Sequence, residues 1–217
     1  MDLRAALRTL LTLGKGTTQG LPPLTADRDP IELFGEQFAA ATACGVLLAE
    51  SAALATVGAD GKPSARMVLL KGYDRDGFVF FTNYDSRKAR DMQANPQVAL
   101  LFHWASLQRQ VRIEGTVAQI SREESEAYFR TRPRGSQVGA WASEQSAKLE
   151  NREVLEKKAR EIERRYAGGD VPLPPFWGGY RLAPAQIEFW QGRIDRLHDR
   201  ILFVRTESGW RSSRLYP

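Results

Sequence analysis

Basic residues next to a predicted helix start could bind the phosphate group of a ligand. In TNYDSRKARDM (82–92), Asp85 or Ser86 can begin a helix, and Arg87 and Lys88 then fall in its first turn. The free N–H groups and the dipole of a helix N-terminus attract anions, so bases are unfavourable there unless an anion is bound. The pattern indicates a phosphate site. A surface helix with solvated bases is the simpler alternative.

A strand-like segment carries two further bases. In SARMVLLK (64–71), side chains alternate between the two faces of a strand, so Arg66 and Lys71 lie on opposite faces. They cannot enter one pocket unless the strand bends or ends near Leu70. The pattern therefore favours two different anions, or a site for Lys71 at the end of the strand.

A phenol, a guanidinium and a hydroxyl are close together in YFRTRPRGSQVGAW (128–141). Tyr128 and Arg132 are four residues apart and share a helix face. Pro133 disfavours helical geometry at Arg132, so we expect the chain to turn there, with Ser136 following in the turn. Such a set could clamp a phosphate dianion. A purely structural turn is the alternative.

The stretch EFWQGRIDRLHDR (188–200) is the densest in candidate groups. If it is extended, Arg196, His198 and Arg200 lie on one face at a period of two. A lone His is more often structural than functional. Because uncompensated charge is costly to bury, a His between two Arg residues on one face indicates a site for an anionic or electron-rich ring.

The elements that must position these residues are mainly short strands. β-type runs bounded by turn sequences occur at 53–57, 64–71, 78–82, 97–104 and 109–120, and β-type sequence returns at 180–183, 186–192, 200–206 and 209–215. Regular strands with hairpin-like turns predict an antiparallel barrel or sandwich. We interpret the chain as a β-barrel with helices packed outside it.

Helices are predicted around these strands. Asp29 and Pro30 begin one helix, Ser121 caps a second over 121–132, and a third spans about 148–167. Residues 29–217 are predicted to form a single, mainly β domain.

The first 28 residues are predicted to form an N-terminal arm, a candidate for a mobile segment. It combines leucines at helical spacing in residues 1–13 with a linker-like sequence, GKGTTQGLPP, at 14–23.

Composition narrows the function classes. The chain has 217 residues, 42% hydrophobic and 26% charged, which is typical of a soluble globular protein. One Cys, Cys44, excludes an internal disulfide and makes a cytoplasmic location the default. With only His103 and His198 beside it, no zinc site of the usual Cys/His type is predicted. Catalysis would therefore depend on a bound cofactor or on carboxylates.

Two partner classes are disfavoured. No apolar run approaches the roughly 20 residues needed to span a bilayer. The net charge of +5 invites a nucleic-acid interpretation, but the bases stand in short groups separated by hydroxyls, Gln and aromatics. That spacing suits discrete phosphate groups better than a continuous backbone, so neither a membrane nor a nucleic acid is predicted as a partner.

Taken together, six segments resemble the pyridoxine/pyridoxamine 5′-phosphate oxidase family, FMN enzymes with a split β-barrel. The resemblance runs from about residue 29 to the C-terminus, in the family's order and spacing. The segments are RMVLLK (66–71), FFTNYDSRKA (80–89), RQVRIEG (109–115), RPRGSQVGAW (132–141), VPLPPFWGG (171–179), and IEFWQG with RLHDR (187–200).

The resemblance implies a homodimer with two FMN sites at the subunit interface. The cofactor residues it implies are Arg66, Met67, Val68, Leu69, Leu70, Lys71, Phe81, Thr82, Arg87, Lys88, Gln110, Gln145, Ser146, Trp190 and Arg200. The substrate residues it implies are Lys71, Tyr128, Arg132 and Ser136 for the phosphate, and Arg196, Leu197 and His198 around the pyridine ring. Arg196 and His198 are the candidate catalytic residues.

The resemblance also implies a reaction, in the biosynthesis or salvage of vitamin B6. The substrate's C4′ carbon gives two electrons to the flavin, and O2 reoxidises the flavin to yield hydrogen peroxide. Pyridoxine 5′-phosphate gives the aldehyde directly, and pyridoxamine 5′-phosphate gives an imine that water hydrolyses to release ammonia. The alternatives are a related split-barrel oxidase of the phenazine-biosynthesis type and a non-catalytic flavin- or heme-binding split-barrel protein.

Overall fold

Eight antiparallel strands form one sheet in the described part of the chain, and the pairing of β3 with β6 closes β1–β6 into a barrel. The structure is a computed structural model that describes Leu21 and residues 28–217. Apart from Leu21 and Arg28, the predicted N-terminal arm, including its linker, lies outside the described residues. The strands are β1 Ser51–Val57, β2 Pro63–Asp74, β3 Gly77–Asn83, β4 Gln97–Trp104, β5 Arg109–Gln119, β6 Trp177–Gln191, β7 Asp199–Thr206 and β8 Gly209–Arg214.

The strand order is β3-β2-β1-β4-β5-β6-β7-β8, so β7 and β8 extend the sheet beyond the barrel from β6. Side-chain alternation explains how the barrel is filled. In β4, for example, Val98, Leu100, Phe102 and Trp104 are buried while the residues between them are more exposed. The alternating sequence therefore turns one face of each strand toward a common core.

Five α-helices pack around the barrel within the described residues. They are α1 Pro30–Ala43, α2 Arg87–Ala94, α3 Arg122–Thr131, α4 Arg134–Ala142 and α5 Arg152–Arg165. The Asp29 side chain accepts a hydrogen bond from the backbone N–H of Ile31, which fixes the start of α1 at Pro30 as predicted. No helix in this part of the chain is both long and apolar enough to cross a membrane.

The predicted mainly β barrel with outer helices is confirmed, and two helical regions differ from the prediction. The helix predicted to begin near residue 148 begins at Arg152, because Asn151 caps it by accepting from the N–H of Val154. The chain does turn at Pro133, but the prediction that Ser136 lies in that turn is wrong. Ser136 lies in the first turn of α4, because the φ of −53° at Pro133 suits a helix start.

The two β-type runs predicted at 180–183 and 186–192 belong to one strand, β6. Pro184 interrupts the sequence but not the strand, because a register shift opposite it, between Glu114 and Gly115, accommodates the missing N–H.

Phe34 is the residue that ties α1 to the barrel. Its ring is fully buried, and its centroid lies 5.0 Å from the ring centroids of Tyr73 and Phe78 and 5.1 Å from that of Phe102.

We expect Phe34→Ala to lower the free energy of unfolding by about 3–5 kcal/mol, since it opens a cavity that these rings cannot fill. Urea denaturation measures the loss. The exposed Lys157→Ala is the control and should shift stability by less than about 0.5 kcal/mol; an equal effect of both changes would contradict this packing.

Candidate active site

Strand β2 carries candidate residues on both of its faces, as the alternation predicts. Arg66, Val68 and Leu70 are half-buried or buried, whereas Met67, Leu69 and Lys71 are exposed on the other face. The register with β3 shifts between Leu70 and Gly72, near the position where the sequence analysis allowed for a bend. The two bases of the segment therefore occupy different environments.

The guanidinium of Arg66 is held by a network of oxygen acceptors. Its Nη1 donates to the carbonyl of Leu54 (3.1 Å) and to Oγ1 of Thr56 (2.7 Å), and its Nη2 donates to Oγ of Ser64 (2.6 Å). Asp91 of α2 lies 3.5 Å from Nη2 and also accepts from Thr56. Burial lowers the pKa of Arg66, and the charge of Asp91 opposes that shift. The side chain is thus a fixed, half-buried cation.

The start of α2 brings predicted cofactor residues together. Ser86, one of the two residues predicted to begin the helix, caps it. The backbone N–H of Arg87 donates to Oγ of Ser146 (3.1 Å), while Nζ of Lys88 donates to Oγ1 of Thr82 (3.1 Å) and Oε1 of Gln145 (2.9 Å). Residues that are some 60 positions apart in sequence therefore meet at one helix N-terminus.

Lys88 is a cation without a nearby counter-charge. Burial, and then repulsion by Arg66, lower the pKa of Lys88 to about 8. None of the carboxylates in the described residues forms a salt bridge with it. A phosphate dianion bound here would stabilise the charged ammonium, so the donor set fits a phosphorylated ligand.

A cavity of about 310 Å³ lies between the exposed face of β2 and helix α3. Burial lowers the pKa of Arg132 and raises the pKa of Tyr128. The Nη1 atom of Arg132 is buried without a hydrogen-bond partner among the described residues. The lining consists of Met67, Val68, Leu69, Lys71, Phe81, Thr82, Lys88, Tyr128, Arg132, Gln145 and Trp177.

Three of the four predicted phosphate ligands, Lys71, Tyr128 and Arg132, line this cavity together. Ser136 does not line it; its side chain is exposed on the first turn of α4. A cavity with a buried, unpaired guanidinium N–H and two further bases at its wall, Lys71 and Lys88, fits anionic groups.

The remaining predicted cofactor residues lie elsewhere on the chain. Gln110, Trp190 and Arg200 are side by side on β5, β6 and β7, because Trp190 is in register with both of the others. They line a second cavity of about 220 Å³ that shares no lining residue with the first. One chain therefore does not assemble the whole predicted cofactor shell in a single cavity.

A buried carboxylate organises the second cavity. Glu188, 6% exposed, accepts from Nε of Arg200 (2.7 Å) and from Arg112 (2.5 Å). The bond to Glu188 raises the pKa of Arg200. Sequence reasoning missed Glu188, although it lies two residues from Trp190 and therefore on the same strand face.

The prediction of a shared face for Arg196, His198 and Arg200 is wrong. Residues Ile194–Arg196 form a short 3-10 turn, with a φ of 58° at Asp195 and 61° at Arg196. Because Gln191 of β6 pairs with Asp199 of β7, the chain must reverse between them and cannot remain extended.

In this turn, Arg196 and Leu197 are exposed, whereas His198 is anchored. The His198 ring lies 4.6 Å from the ring of Trp190, and its Nδ1 accepts from the backbone N–H of Arg193 (3.1 Å). His198 therefore adjoins the second cavity through Trp190.

Comparison with solved structures identifies the class of fold. PhzG from Burkholderia lata 383, solved with tetrahydrophenazine-1-carboxylic acid, superposes with a TM-score of 0.84 at 30% identity, covering 92% of this chain and 100% of that one. A pyridoxamine 5′-phosphate oxidase-related, FMN-binding protein from Nostoc punctiforme shows the same fold at 18% identity, with a TM-score of 0.71 and coverage of 88% and 99%. The chain is a split β-barrel protein.

Sequence comparison then identifies the family. A family model described as "Pyridoxamine 5'-phosphate oxidase" matches residues 40–166, and one described as "Pyridoxine 5'-phosphate oxidase C-terminal dimerisation region" matches residues 177–217. A pyridoxine/pyridoxamine 5′-phosphate oxidase of Rubrobacter xylanophilus is 58% identical over 93% of both chains. That of Psychromonas ingrahamii is 51% identical over the full length of both. The chain belongs to the pyridoxamine 5′-phosphate oxidase family.

The low pKa of Lys88 predicts that phosphate binding weakens in alkali. A bound dianion raises the pKa of Lys88 above the value of about 8 that it has without phosphate. The attraction between the Lys88 ammonium and the phosphate is therefore complete well below pH 8 and is lost as the pH rises through the pKa. We expect the dissociation constant of inorganic phosphate, measured by calorimetry, to increase roughly tenfold between pH 7.5 and pH 9.

The matched control for this titration is Lys88→Arg, which keeps its charge throughout the range. It should bind phosphate with little change between the two pH values. The same loss in Lys88→Arg as in the unchanged protein would show that another group is responsible.

Proposed function

We propose that this chain is an FMN-dependent oxidase that converts pyridoxine 5′-phosphate or pyridoxamine 5′-phosphate to pyridoxal 5′-phosphate. O2 is the electron acceptor, and hydrogen peroxide is released, with ammonia from the amine substrate. The observation that carries the proposal is the set of cations around the first cavity: Lys71, Lys88 and Arg132 line it, and Arg66 is close enough to Lys88 to lower its pKa. Cofactor and substrate each bring one phosphate.

The first set suits the phosphate of FMN. Arg66 and Lys88 supply charge, the N-terminus of α2 supplies backbone N–H groups, and Thr82 and Gln145 fix the Lys88 ammonium. When bound, FMN would accept two electrons from the substrate carbon and pass them to O2. The protein's own contribution is positioning and electrostatics.

The second cavity would complete the cofactor site from another copy of the chain. Trp190 and Arg200 lie within residues 177–217, the part that matches a dimerisation-region model. Exposed apolar side chains flank both halves: Met67 and Leu69 beside the first cavity, and Leu197 in the turn that leads into β7. Their burial between two subunits supports a homodimer in which each site uses both chains.

The substrate phosphate would bind Lys71, Tyr128 and Arg132, which already share a cavity wall. Stacking holds Tyr128 in place, since its ring lies 4.0 Å from that of Phe81. Ser136 would have to join this set from the exposed first turn of α4. Fixing the phosphate at one end of the pyridine ring leaves the other end to be oriented by a second group.

That second group would be Arg196 with His198. Because Nδ1 of His198 accepts from the N–H of Arg193, the proton of the neutral imidazole lies on Nε2. Nε2 can therefore donate to an oxygen or nitrogen of the substrate. The exposed Arg196 is free to cover the ring and hold it by stacking and charge.

A second candidate function rests on the likeness to PhzG, which was solved with tetrahydrophenazine-1-carboxylic acid, a carboxylated ring compound. A base such as Arg132 can bind a carboxylate as well as a phosphate. The two functions differ in whether the first cavity must hold a dianionic phosphate.

Turnover separates the two candidates. Purified protein supplied with FMN is expected to consume O2 and to form pyridoxal 5′-phosphate from pyridoxine 5′-phosphate, followed by oxygen electrode and by absorbance. Flavin binding without this turnover, together with oxidation of a reduced phenazine carboxylate, would favour the second function.

Arg196→Ala tests the role of the ring clamp. We expect FMN to be retained and kcat/KM to fall by about a hundredfold or more, because the substrate is no longer held in a reactive orientation. The exposed Arg205→Ala is the control and should leave the kinetics unchanged. Loss of FMN without a specific kinetic defect would refute the assignment.

A further inference from the structure

Trp177, in the motif VPLPPFWGG, lies beside the first cavity and has no role in the scheme above. It is the first residue of β6, is 7% exposed and is in register with Asn83 of β3. Val171 and Leu173 of the preceding turn are buried in the same cluster. The Pro-rich turn thus places the indole ring of Trp177 in the cavity wall.

Neighbouring rings fix the orientation of this indole. Phe81 stacks with it at 5.4 Å and an interplanar angle of 12°, and Phe129 meets it edge-on at 5.2 Å and 66°. Tyr128 lies nearly parallel to it at 6.3 Å. With so many contacts, Trp177 has little freedom to turn.

Arg132 lies over the face of this ring. Its Cζ atom is 4.6 Å from the centroid of the Trp177 ring and 5.5 Å from that of Phe129. No carboxylate of the described residues forms a salt bridge with Arg132, and its Nη1 is buried without a hydrogen-bond partner there. The π face of Trp177 is therefore the main favourable contact of a half-buried cation.

We propose that Trp177 is a positioning residue that holds the guanidinium of Arg132 ready for the substrate phosphate. Its ring face thereby sets the preference for phosphorylated over unphosphorylated pyridines. This inference rests on the proposed function, because it takes Arg132 as a ligand of that phosphate. Without the ring face, Arg132 would leave its half-buried position for solvent, and the phosphate would lose a preorganised partner.

The test compares Trp177→Phe, which keeps a ring face, with Trp177→Leu, which keeps only apolar bulk. The affinities of the FMN-loaded proteins for pyridoxal 5′-phosphate and for pyridoxal are measured, and their ratio is the phosphate preference. We expect Trp177→Leu to lower the ratio about tenfold and to raise KM with kcat changed less than about threefold. Trp177→Phe should keep the ratio within about threefold of the unchanged protein.

A double-mutant cycle shows whether Trp177 acts through Arg132. In an Arg132→Met background, Trp177→Leu should have no further effect on the phosphate preference. Trp177→Met carries the same expectation as Trp177→Leu, so the test does not depend on the folding of one variant. Trp210→Leu removes a similar Arg–Trp contact, with Arg205 at 5.1 Å, and should leave the preference unchanged.

Three results would overturn the proposal: an unchanged preference in Trp177→Leu, an equal loss in Trp177→Phe, or the same loss when Arg132 is already absent. Each of these results can be obtained with an enzyme that still oxidises pyridoxine 5′-phosphate. In that case the proposed role of Trp177 is wrong and the proposed function stands. If the unchanged protein neither binds nor oxidises a phosphorylated pyridine, the proposed function fails as well.

Discussion

The pairing of β3 with β6 is the constraint on which the candidate site depends. It closes the barrel and sets Phe81 opposite Gly179 and Thr82 opposite Gly178. Both glycines leave room for neighbouring side chains: a Cβ on Gly178 would lie 2.0 Å from Oη of Tyr84, and one on Gly179 would lie 2.4 Å from Cδ1 of Ile120. The motif FWGG therefore makes space for the side chains of Tyr84 and Ile120 against β6 and places the Trp177 ring beneath Arg132.

Given this frame, the electrostatics follow from the alternation of β2. One face carries Arg66, which is close enough to Lys88 to lower its pKa, and the other carries Lys71, which lines the first cavity together with Lys88 and Arg132. Asp91 offsets part of the charge near Arg66, but Lys88 keeps a pKa depressed by burial and by Arg66. The protein thus holds cations in two places where bound anions would relieve the cost of burial.

Local sequence patterns predicted much of this arrangement. Alternation placed the strands and separated Arg66 from Lys71, and the cap at Ser86 placed the start of α2. The α4 helix was missed because Pro133 can either end one helix or precede the start of the next, and here it does the latter. The turn at 192–198 was missed because it depends on the register of β6 with β7. The pairs of Asp91 with Arg66 and of Glu188 with Arg200 depend on tertiary contacts that no local period encodes.

The central claim is that two phosphates bind at different groups of bases around the first cavity, in sites completed by a second copy of the chain. A crystal structure of the protein with FMN and pyridoxal 5′-phosphate tests it directly. The account predicts the FMN phosphate against Arg66 and Lys88, the second phosphate against Lys71 and Arg132, and Trp190 of the partner subunit at the flavin. Both phosphates bound to the same group of bases, or Arg132 turned away from the cavity, would contradict it.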